Sequence, residues 1–417
     1  MSNRRFAARG LSRDEIAAAM ATLRADDQSW DDPRNLKASY FAGEDVTRIA
    51  TEAFAQHMDD NVIYGASSYP SLPAYEAEVV AMGLEMLEAP EGAGGTVTTG
   101  GTESIAVAVK TARDWARDHK PRATAPEIVL PRTAHVAFDK AAHLFGLKVR
   151  RMAGSVEYRA DVAAMADAIG PNTVMIVASA PPYPYANVDP VREIAALAVA
   201  HDLWMHVDAC VGGFILPFAR DLGHAVPDFD FTVPGVTSMS ADLHKYGYAL
   251  RGSSLLLLRD AALEDYQRFE SSDWPAGRYA TMGIAGSRNG GPVASAWAVM
   301  RYLGRDGYRA RVAKILDAKR RLIAGIEGIA GLAVLGAPEG GHFAFVSTDH
   351  DTSAIALAMT ERSWMLARGE DPAAIMLLLN HRHGEIVDDF LADLRAAVDD
   401  VASGRVVAPG EGAVYAL

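Results

Sequence analysis

Short apolar runs alternate with amphipathic stretches through the middle of the chain, starting near residue 74. Runs rich in Val, Ile and Leu predict strands at 128–130, 148–152, 174–178, 203–207, 236–240 and 254–258. Helical stretches, such as 191–200, separate several of these runs. Strands that alternate with helices form a mostly parallel sheet with helices on both faces. The pattern therefore predicts an α/β fold.

The N-terminal part of the chain has a helical pattern instead. Ser12 and Glu15 have capping-box spacing, and apolar residues follow at helical intervals. A second helical stretch covers 46–58, and the Gly, Ser and Pro residues at 61–73 predict a loop. These features predict a helical segment over 1–58.

Further helices are expected at 76–87, from 102–104 onward, and at 292–303. A long amphipathic helix at 312–329 then leads into a tail of mixed helix and strand pattern. We therefore expect a large α/β domain over 59–305 and a small C-terminal α+β domain over 306–417.

Composition narrows the class of protein. The 417 residues are 50% hydrophobic and 22% charged, as in ordinary globular proteins. The net charge of −13 argues against nucleic-acid binding. Cys210 is the one cysteine, so no internal disulfide can form, and no apolar run reaches the ~20 residues of a transmembrane helix. The first residues lack the apolar core of a secretory signal, so we expect a cytoplasmic protein.

A lysine in a tight turn is the first candidate for chemistry. Lys245 lies in SADLHKYGYALRGSS (240–254), with His244 before it and Tyr246 and Tyr248 after it. Most lysines are solvated surface charges. The aromatic surroundings and the adjacent strands make a rigidly held amine the better interpretation here.

A carboxylate at a strand end is the second candidate. In LWMHVDACVGGF (203–214), strand alternation places Trp204, His206 and Asp208 on one face. Asp208 comes at the C-terminal end of its strand, where open α/β sheets bind ligands. A carboxylate in such apolar surroundings needs a partner, which a protonated pyridine nitrogen, a metal or an arginine could each supply. His206 is expected to be a hydrogen-bonded core histidine, and Cys210 a small buried hydrophobe.

Two strand-to-helix junctions supply the remaining candidate site residues. GTVTTGGTES contains Gly101 and Thr102 at the start of a helix, where free amides and the helix dipole favour a phosphate. PRTAHVAFDKAAHLFG (131–146) places His135 in a junction from which it can reach over the sheet edge. Taken singly, both stretches are more simply helix caps.

Other kinds of site have little support. The sequence has no HExxH, CxxC or Ca²⁺-loop pattern for a metal, and no GxSxG nucleophile elbow. The histidine pair in NHRHGE (380–385) lies far along the chain and is interpreted as a polar loop. We therefore expect no metal site.

Five ordered motifs resemble one family: GGTES, AHVAFDKAAHLFG, HVDACVGGF, HKYGYALRGSS and AGSRNGG. The chain resembles the group II decarboxylases that depend on pyridoxal 5′-phosphate (PLP), and most closely their sphingosine-1-phosphate lyase branch. This resemblance implies the PLP-dependent transferase fold of type I, aspartate aminotransferase-like, with a mostly parallel seven-stranded sheet.

The resemblance also implies roles for individual residues. Lys245 forms the Schiff base with PLP, Asp208 pairs with the pyridine nitrogen, and His135 stacks on the ring. The phosphate is held by Gly101, Thr102 and His244. Gly286 and Ser287 are expected to reach the phosphate of the neighbouring subunit, which implies a homodimer with shared active sites.

The chain departs from the family where substrate would bind. Arg251 stands where the family has a lysine; it keeps a positive charge but does not readily give up a proton. Gly65 and Ser67 replace a histidine and an aspartate associated with substrate, and 180–186 reads APPYPYA. These changes favour a different substrate, while the cofactor residues are retained.

Three functions follow from the resemblance. The leading hypothesis is a carbon–carbon lyase that cleaves an anionic β-hydroxy amine by a retro-aldol step, with Tyr248 a candidate base and Arg251 on the substrate anion. The alternative is an L-amino acid decarboxylase with the same cofactor residues. A non-catalytic binding protein on this fold is a minor alternative, and the retained Lys245 argues against it.

Overall fold

The computed structural model describes residues 8–37 and 39–407. Its strands, in chain order, are β1 (Gly94–Thr98), β2 (Glu127–Pro131), β3 (Lys148–Met152), β4 (Thr173–Ser179), β5 (Trp204–Asp208), β6 (Ser238–Ala241), β7 (Ser254–Leu258), β8 (Phe269–Ser271), β9 (Tyr279–Thr281), β10 (Leu332–Val334), β11 (His342–Ser347), β12 (Ala367–Glu370) and β13 (Ala373–Leu378).

The helices are α1 (Arg13–Leu23), α2 (Glu44–Gln56), α3 (Gly65–Ser68), α4 (Ser71–Met86), α5 (Gly101–His119), α6 (Ala137–Phe145), α7 (Val162–Ala168), α8 (Val191–Ala200), α9 (Leu216–Asp221), α10 (Glu264–Gln267), α11 (Gly291–Glu327), α12 (Thr352–Glu361) and α13 (Val387–Ala402). Among the described residues, none of these helices is long and apolar enough to cross a bilayer.

The central sheet has the strand order β1-β7-β6-β5-β4-β2-β3. Strand β7 runs antiparallel to both of its neighbours, and the other pairs are parallel. All six strands predicted from the sequence are present, within two residues at each end. This confirms the predicted type I fold with a mostly parallel seven-stranded sheet.

Strand β1 was not among the predicted strands. Its sequence, GGTVT, has too few apolar residues to mark a strand. The glycines allow close pairing with β7, because a Cβ on Gly95 would lie 2.7 Å from the Leu257 side chain. Tight backbone approach, rather than apolar patterning, therefore places β1 at the sheet edge.

Side chains from the central sheet alternate between two apolar clusters. Trp204 packs in the cluster with α5 and α6, whereas Met205 and Val207 pack in the cluster with α4, α8 and α11. His206 is fully buried on the Trp204 face, where its ring nitrogens contact Ser238 Oγ (2.8 Å) and Ser240 Oγ (3.2 Å). His206 is therefore the hydrogen-bonded core histidine that alternation predicts.

The N-terminal helix begins as predicted. The Glu15 amide donates to Ser12 Oγ (3.3 Å), and the Ser12 amide donates to Glu15 Oε2 (2.7 Å). The loop expected at 61–73 is wrong in part, since α3 and the first turn of α4 lie within it. The Gly, Ser and Pro residues of this stretch predicted a loop, but proline disrupts only the interior of a helix. Pro73 lies in the first turn of α4, where proline is tolerated because an N–H there has no partner within the helix.

The helices expected at 292–303 and 312–329 are parts of one element, α11. Gly304 interrupts α11 with φ 52° and ψ −175°. The predicted boundary between large and small domains, at 305, adjoins this break. A second sheet, of order β10-β11-β13-β12, lies C-terminal to it, as expected for an α+β unit. The division into domains stays a prediction, and 1–7 and 408–417 lie outside the described residues.

Burial of His206 predicts a pH dependence of stability. Burial lowers the pKa of His206 to about 4, against about 6.5 for a free histidine. The neutral ring thus contributes stability that is present above pH 6.5 and lost as the pH falls toward 4. We expect His206→Gln to reduce the slope of the unfolding free energy between pH 6 and 4.5 by about 1.4 kcal/mol per pH unit.

Urea unfolding at several pH values measures this slope. His224→Gln, at an exposed position, is the matched control and should leave the slope unchanged. An identical slope in wild type and His206→Gln would contradict the prediction.

Candidate active site

A cavity of about 350 Å³ lies at one edge of the central sheet. Strands β1, β2, β4, β5 and β6 end at this edge, and β7 begins there because it runs antiparallel. The cavity is lined by Tyr40, Thr99, Gly100, Gly101, Thr102, Glu103, Ile105, His135, Pro181, Pro182, Tyr183, Asp208, Cys210, Val211, Asp242, His244, Lys245 and Arg251. A cavity of this size suits a small-molecule cofactor or ligand.

Seven of the ten residues predicted from the sequence line this cavity: Lys245, Asp208, His135, Gly101, Thr102, His244 and Arg251. They come from different strand ends, and the parallel sheet brings them together. Tyr248, Gly286 and Ser287 do not line it.

Asp208 is the last residue of β5 and is 7% exposed. Its Oδ1 accepts hydrogen bonds from the Cys210 amide (3.0 Å) and from Ser240 Oγ (3.3 Å). These bonds fix the carboxylate on the cavity wall, in place to bind a cationic or N–H group of a ligand.

Lys245 is paired with a carboxylate that the sequence analysis did not single out. Its Nζ lies 2.8 Å from Asp242 Oδ2, and Asp242 is 2% exposed. Burial by itself lowers the pKa of Lys245, but the Asp242 charge outweighs it and raises the pKa overall. The lysine amine therefore carries its proton when it is paired in this way.

The start of α5 forms a cradle for an anion. Gly100 has φ 149°, and no side chain caps the helix. A Cβ on Gly101 would lie 2.8 Å from Asp242 Oδ1 and 2.9 Å from Cys210 Sγ, so only glycine fits there. His244 lies beside the same turn, 3.2 Å from where a Cβ on Gly100 would be. The helix N-terminus and its amides thus face the cavity.

Glu103 connects this cradle to a distant loop. Its Oε2 accepts from the Thr99 amide and hydroxyl (both 2.6 Å), and its Oε1 accepts from the amides of Ile284 (2.7 Å) and Ala285 (3.2 Å). Burial raises the pKa of Glu103, but these hydrogen bonds together lower it overall. The carboxylate therefore fixes the loop that carries Gly286 and Ser287.

Gly286 and Ser287 themselves lie away from the cavity of their own chain. Gly286 lines a separate surface pocket, and Ser287 Oγ accepts from Asn61 Nδ2 (3.1 Å). Their predicted contact with a phosphate therefore cannot be made within one chain.

Tyr248 lines a neighbouring cavity of about 180 Å³. Its ring stacks on Tyr308 with centroids 5.9 Å apart, and its buried hydroxyl has no hydrogen-bond partner in the described part of the chain. Tyr248 also has φ 60°, in the left-handed region. Tyr40, His244 and Arg251 line both cavities and so form the boundary between them.

Two tyrosines of the main cavity were missed by sequence reasoning. Tyr40 comes from the N-terminal segment, and no motif signals that it folds back onto the lysine turn. Tyr183 belongs to the altered APPYPYA stretch, together with Pro181 and Pro182. Gly65 and Ser67, at the other altered stretch, lie in α3 and do not line the cavity of this chain.

The histidines of NHRHGE also lie outside the cavity. His383 is fully buried, and its Nδ1 accepts from the Asn380 amide (2.9 Å). Burial lowers the pKa of His383 to about 3. Throughout residues 8–37 and 39–407, no cluster of His, Cys, Asp and Glu is arranged to hold a metal ion.

Comparison with known proteins identifies the family. Residues 12–345 match the model of the pyridoxal-dependent decarboxylase conserved domain. The chain belongs to the pyridoxal-dependent decarboxylase family. The sphingosine-1-phosphate lyase of Oryza sativa is 38% identical over 415 residues, which are 97% of this chain and 76% of that protein.

The solved structure of a sphingosine-1-phosphate lyase from Burkholderia pseudomallei superposes with a TM-score of 0.91 at 35% identity, covering 96% of this chain and 94% of that one. A probable L-tyrosine/L-aspartate decarboxylase of Methanothermobacter thermautotrophicus is 35% identical over 320 residues, 76% of this chain and 86% of that protein. The resemblance seen in the motifs is confirmed: this family member is a PLP-dependent enzyme of sphingosine-1-phosphate lyase-like type.

The residues of the cavity fit PLP. Gly101 packs directly against Asp242 and Cys210, and the start of α5, which no side chain caps, would supply its amides to a phosphate. Lys245 lines the same cavity and would supply an amine, and Asp208 would supply a carboxylate for the ring nitrogen. His135 is exposed where it lines the cavity. Its Nδ1 accepts a hydrogen bond from the Ala137 amide (3.0 Å), which fixes the orientation of the imidazole ring.

The position of Glu103 predicts an effect on cofactor affinity. Glu103→Gln retains the shape but has one accepting oxygen, so it cannot serve both Thr99 and the 284–285 amides. Losing a charged acceptor at buried amides costs about 1–3 kcal/mol. We expect the affinity for PLP to fall by ~10-fold or more, measured by equilibrium titration.

Glu91→Gln, at an exposed turn, is the control and should bind PLP as wild type does. Wild-type affinity in Glu103→Gln would show that the carboxylate does not support the cradle.

Proposed function

We propose that this enzyme cleaves the Cα–Cβ bond of a phosphorylated or otherwise anionic β-hydroxy amine, releasing an aldehyde and a smaller amine. The observation that carries the proposal is the position of Arg251 in the same cavity as Lys245 and Asp208. A cation at this position favours a substrate with a second anionic group, besides the amine that reacts.

The chain's own residues orient the reaction. PLP, when bound, supplies the electron sink that stabilises the electron pair left on the substrate α-carbon. Asp208 would keep the ring nitrogen protonated, Lys245 would supply the amine that bonds to the cofactor, and His135 would lie against the ring. Gly101, Thr102 and His244 would hold the phosphate.

A hydroxyl proton must also leave the substrate as the aldehyde forms. Tyr40 and Tyr183 are the tyrosines of the main cavity, and we propose that they bind the β-hydroxyl group. Burial raises the pKa of Tyr40, so this residue suits hydrogen bonding better than acting as a base. Tyr248 stays a candidate base from the sequence, although its ring lies in the side cavity.

A homodimer is part of the proposal. Gly286 and Ser287 lie on a loop held firmly by Glu103, yet outside their own chain's cavity. We propose that this loop reaches the phosphate in the active site of a second copy. We also propose that the enzyme works in the cytoplasm on a small amine or amino acid substrate, without nucleic acid.

Decarboxylation of an L-amino acid is the second candidate. The 35% identity to a probable L-tyrosine/L-aspartate decarboxylase favours it, and the same lysine, aspartate and histidine would serve it. The geometry of the bound substrate selects the bond that breaks, since that bond must stand perpendicular to the cofactor ring.

Product analysis separates the two reactions. With a phosphorylated long-chain β-hydroxy amine, we expect aldehyde and phosphorylated amine in equal amounts. With glutamate, aspartate or aromatic amino acids, we expect no carbon dioxide. Lys245→Ala is the control for background turnover and should be inactive.

Release of carbon dioxide without aldehyde would instead establish the decarboxylase. Absence of both products, in a protein that stays colourless after addition of PLP, would support a binding role.

Arg251 gives a separate test of the anionic group. Arg251→Ala should raise KM for a phosphorylated substrate ~10-fold or more, since a charged hydrogen bond contributes about 1.5–3 kcal/mol. The KM for the same amine without phosphate should change little, and Arg251→Lys should restore part of the difference. Equal effects on both substrates would remove Arg251 from the anion site.

A further inference from the structure

Asp242 is the buried carboxylate nearest to the Lys245 amine. The two residues lie in one tight turn, in which the Lys245 amide also donates to the Asp242 carbonyl (3.3 Å). Asp242 Oδ2 is 2.8 Å from Lys245 Nζ. The same oxygen is 3.8 Å from His244 Nε2, so the lysine is its closer cationic partner. Because both side chains extend from the same turn, the carboxylate stays within reach of the amine.

We propose that Asp242 is a positioning residue that holds the Lys245 nitrogen and its proton during the catalytic cycle. This inference rests on the proposed role of Lys245 as the residue bonded to PLP. It assigns to Asp242 a function separate from that of Asp208, whose oxygens are fixed by Ser240 and the Cys210 amide on another part of the wall.

The energetic reason is the cost of a buried charge. Asp242 is 2% exposed, and its Oδ1 has no hydrogen-bond partner within the described residues. A buried carboxylate without a counter-charge is strongly destabilising. When a substrate amine displaces Lys245, Asp242 would lose its partner unless the released amine returns to it as an ammonium group.

The proton balance fits this arrangement. When the Lys245 ammonium group bonds to the cofactor aldehyde, water would leave with two of its protons and the aldehyde oxygen, and one proton would stay on the nitrogen. After displacement, the neutral amine takes up one proton, which in the lyase reaction comes from the substrate hydroxyl. The same proton is later given to the α-carbon. Asp242 stabilises the intervening ammonium form, and no external reactant is needed.

Other charged and titratable groups also face Lys245. They are Tyr40, Cys210, His135, His244 and His342, and Asp208 and Arg251 line the same cavity. Of these, Arg251 and His244 oppose a positive charge on the amine, while Asp208 is held by its own hydrogen bonds. Asp242 is thus the group that can compensate the charge directly.

The test is a pH titration of the full-length protein loaded with PLP. The absorbance of the lysine–PLP bond reports protonation of the lysine nitrogen. In Asp242→Asn we expect the titration midpoint to fall by at least one pH unit, a ~10-fold loss of proton affinity. We also expect kcat to fall ~10-fold with a smaller change in KM.

Asp230→Asn is the matched control. Asp230 is fully buried and pairs with Arg220 at 2.8 Å, but it does not line the cavity. This variant can lose stability, but it should keep the wild-type midpoint. A midpoint in Asp242→Asn equal to wild type would overturn the proposal.

A cofactor-independent measurement covers the case in which Asp242→Asn binds no PLP. Acetic anhydride reacts with neutral amines, so labelling of Lys245 at pH 8, located by peptide mass, should be ~10-fold faster in the variant. Equal labelling rates in wild type and Asp242→Asn would contradict the proposed interaction between Asp242 and the Lys245 amine. Covalent PLP binding by Lys245→Ala would contradict the proposed role of Lys245. The labelling rates would still show whether Asp242 stabilises the protonated form of the Lys245 amine.

Discussion

The parallel pairing of β5 with β4 and β6 is the constraint on which the site depends. It places Asp208 level with Ser179 and Ser240, at the edge where neighbouring strands also end. The residues that follow those strands, including His135 and Lys245, are thereby brought to one cavity. A shift of one residue in β5 would turn Asp208 to the opposite face of the sheet and remove its carboxylate from the cavity.

Charge balance is the second organising feature. The cavity combines the carboxylates of Asp208 and Asp242 with the cations of Lys245 and Arg251 and with a helix start that favours a phosphate. Each carboxylate has its own fixed partners, so each can act on a different part of the cofactor. We propose that Asp208 serves the ring and that Asp242 serves the lysine nitrogen.

Much of this arrangement could be predicted from the sequence. The strands of the central sheet follow from their apolar runs, and Asp208 and Lys245 follow from their places after strands. Strand β1 could not be predicted, because its glycines matter for close pairing with β7. The place of Tyr40 in the cavity could not be predicted, because its contact with the lysine turn is made only by the tertiary fold.

Asp242 and Glu103 carry only a weak signal in the sequence. Asp242 precedes Lys245 by one turn, and Glu103 follows the Gly100–Gly101 pair, so both were present within the motifs. What the sequence does not show is the direction of each side chain. Asp242 turns toward the amine, and Glu103 bridges Thr99 and the 284–285 amides.

We propose that Lys245 holds the cofactor covalently. Borohydride reduction of the PLP-loaded protein, followed by digestion and mass mapping, shows which residue is bonded to PLP. We expect a single modified peptide with the pyridoxyl group on Lys245. Attachment to another lysine, or no stable attachment, would contradict it.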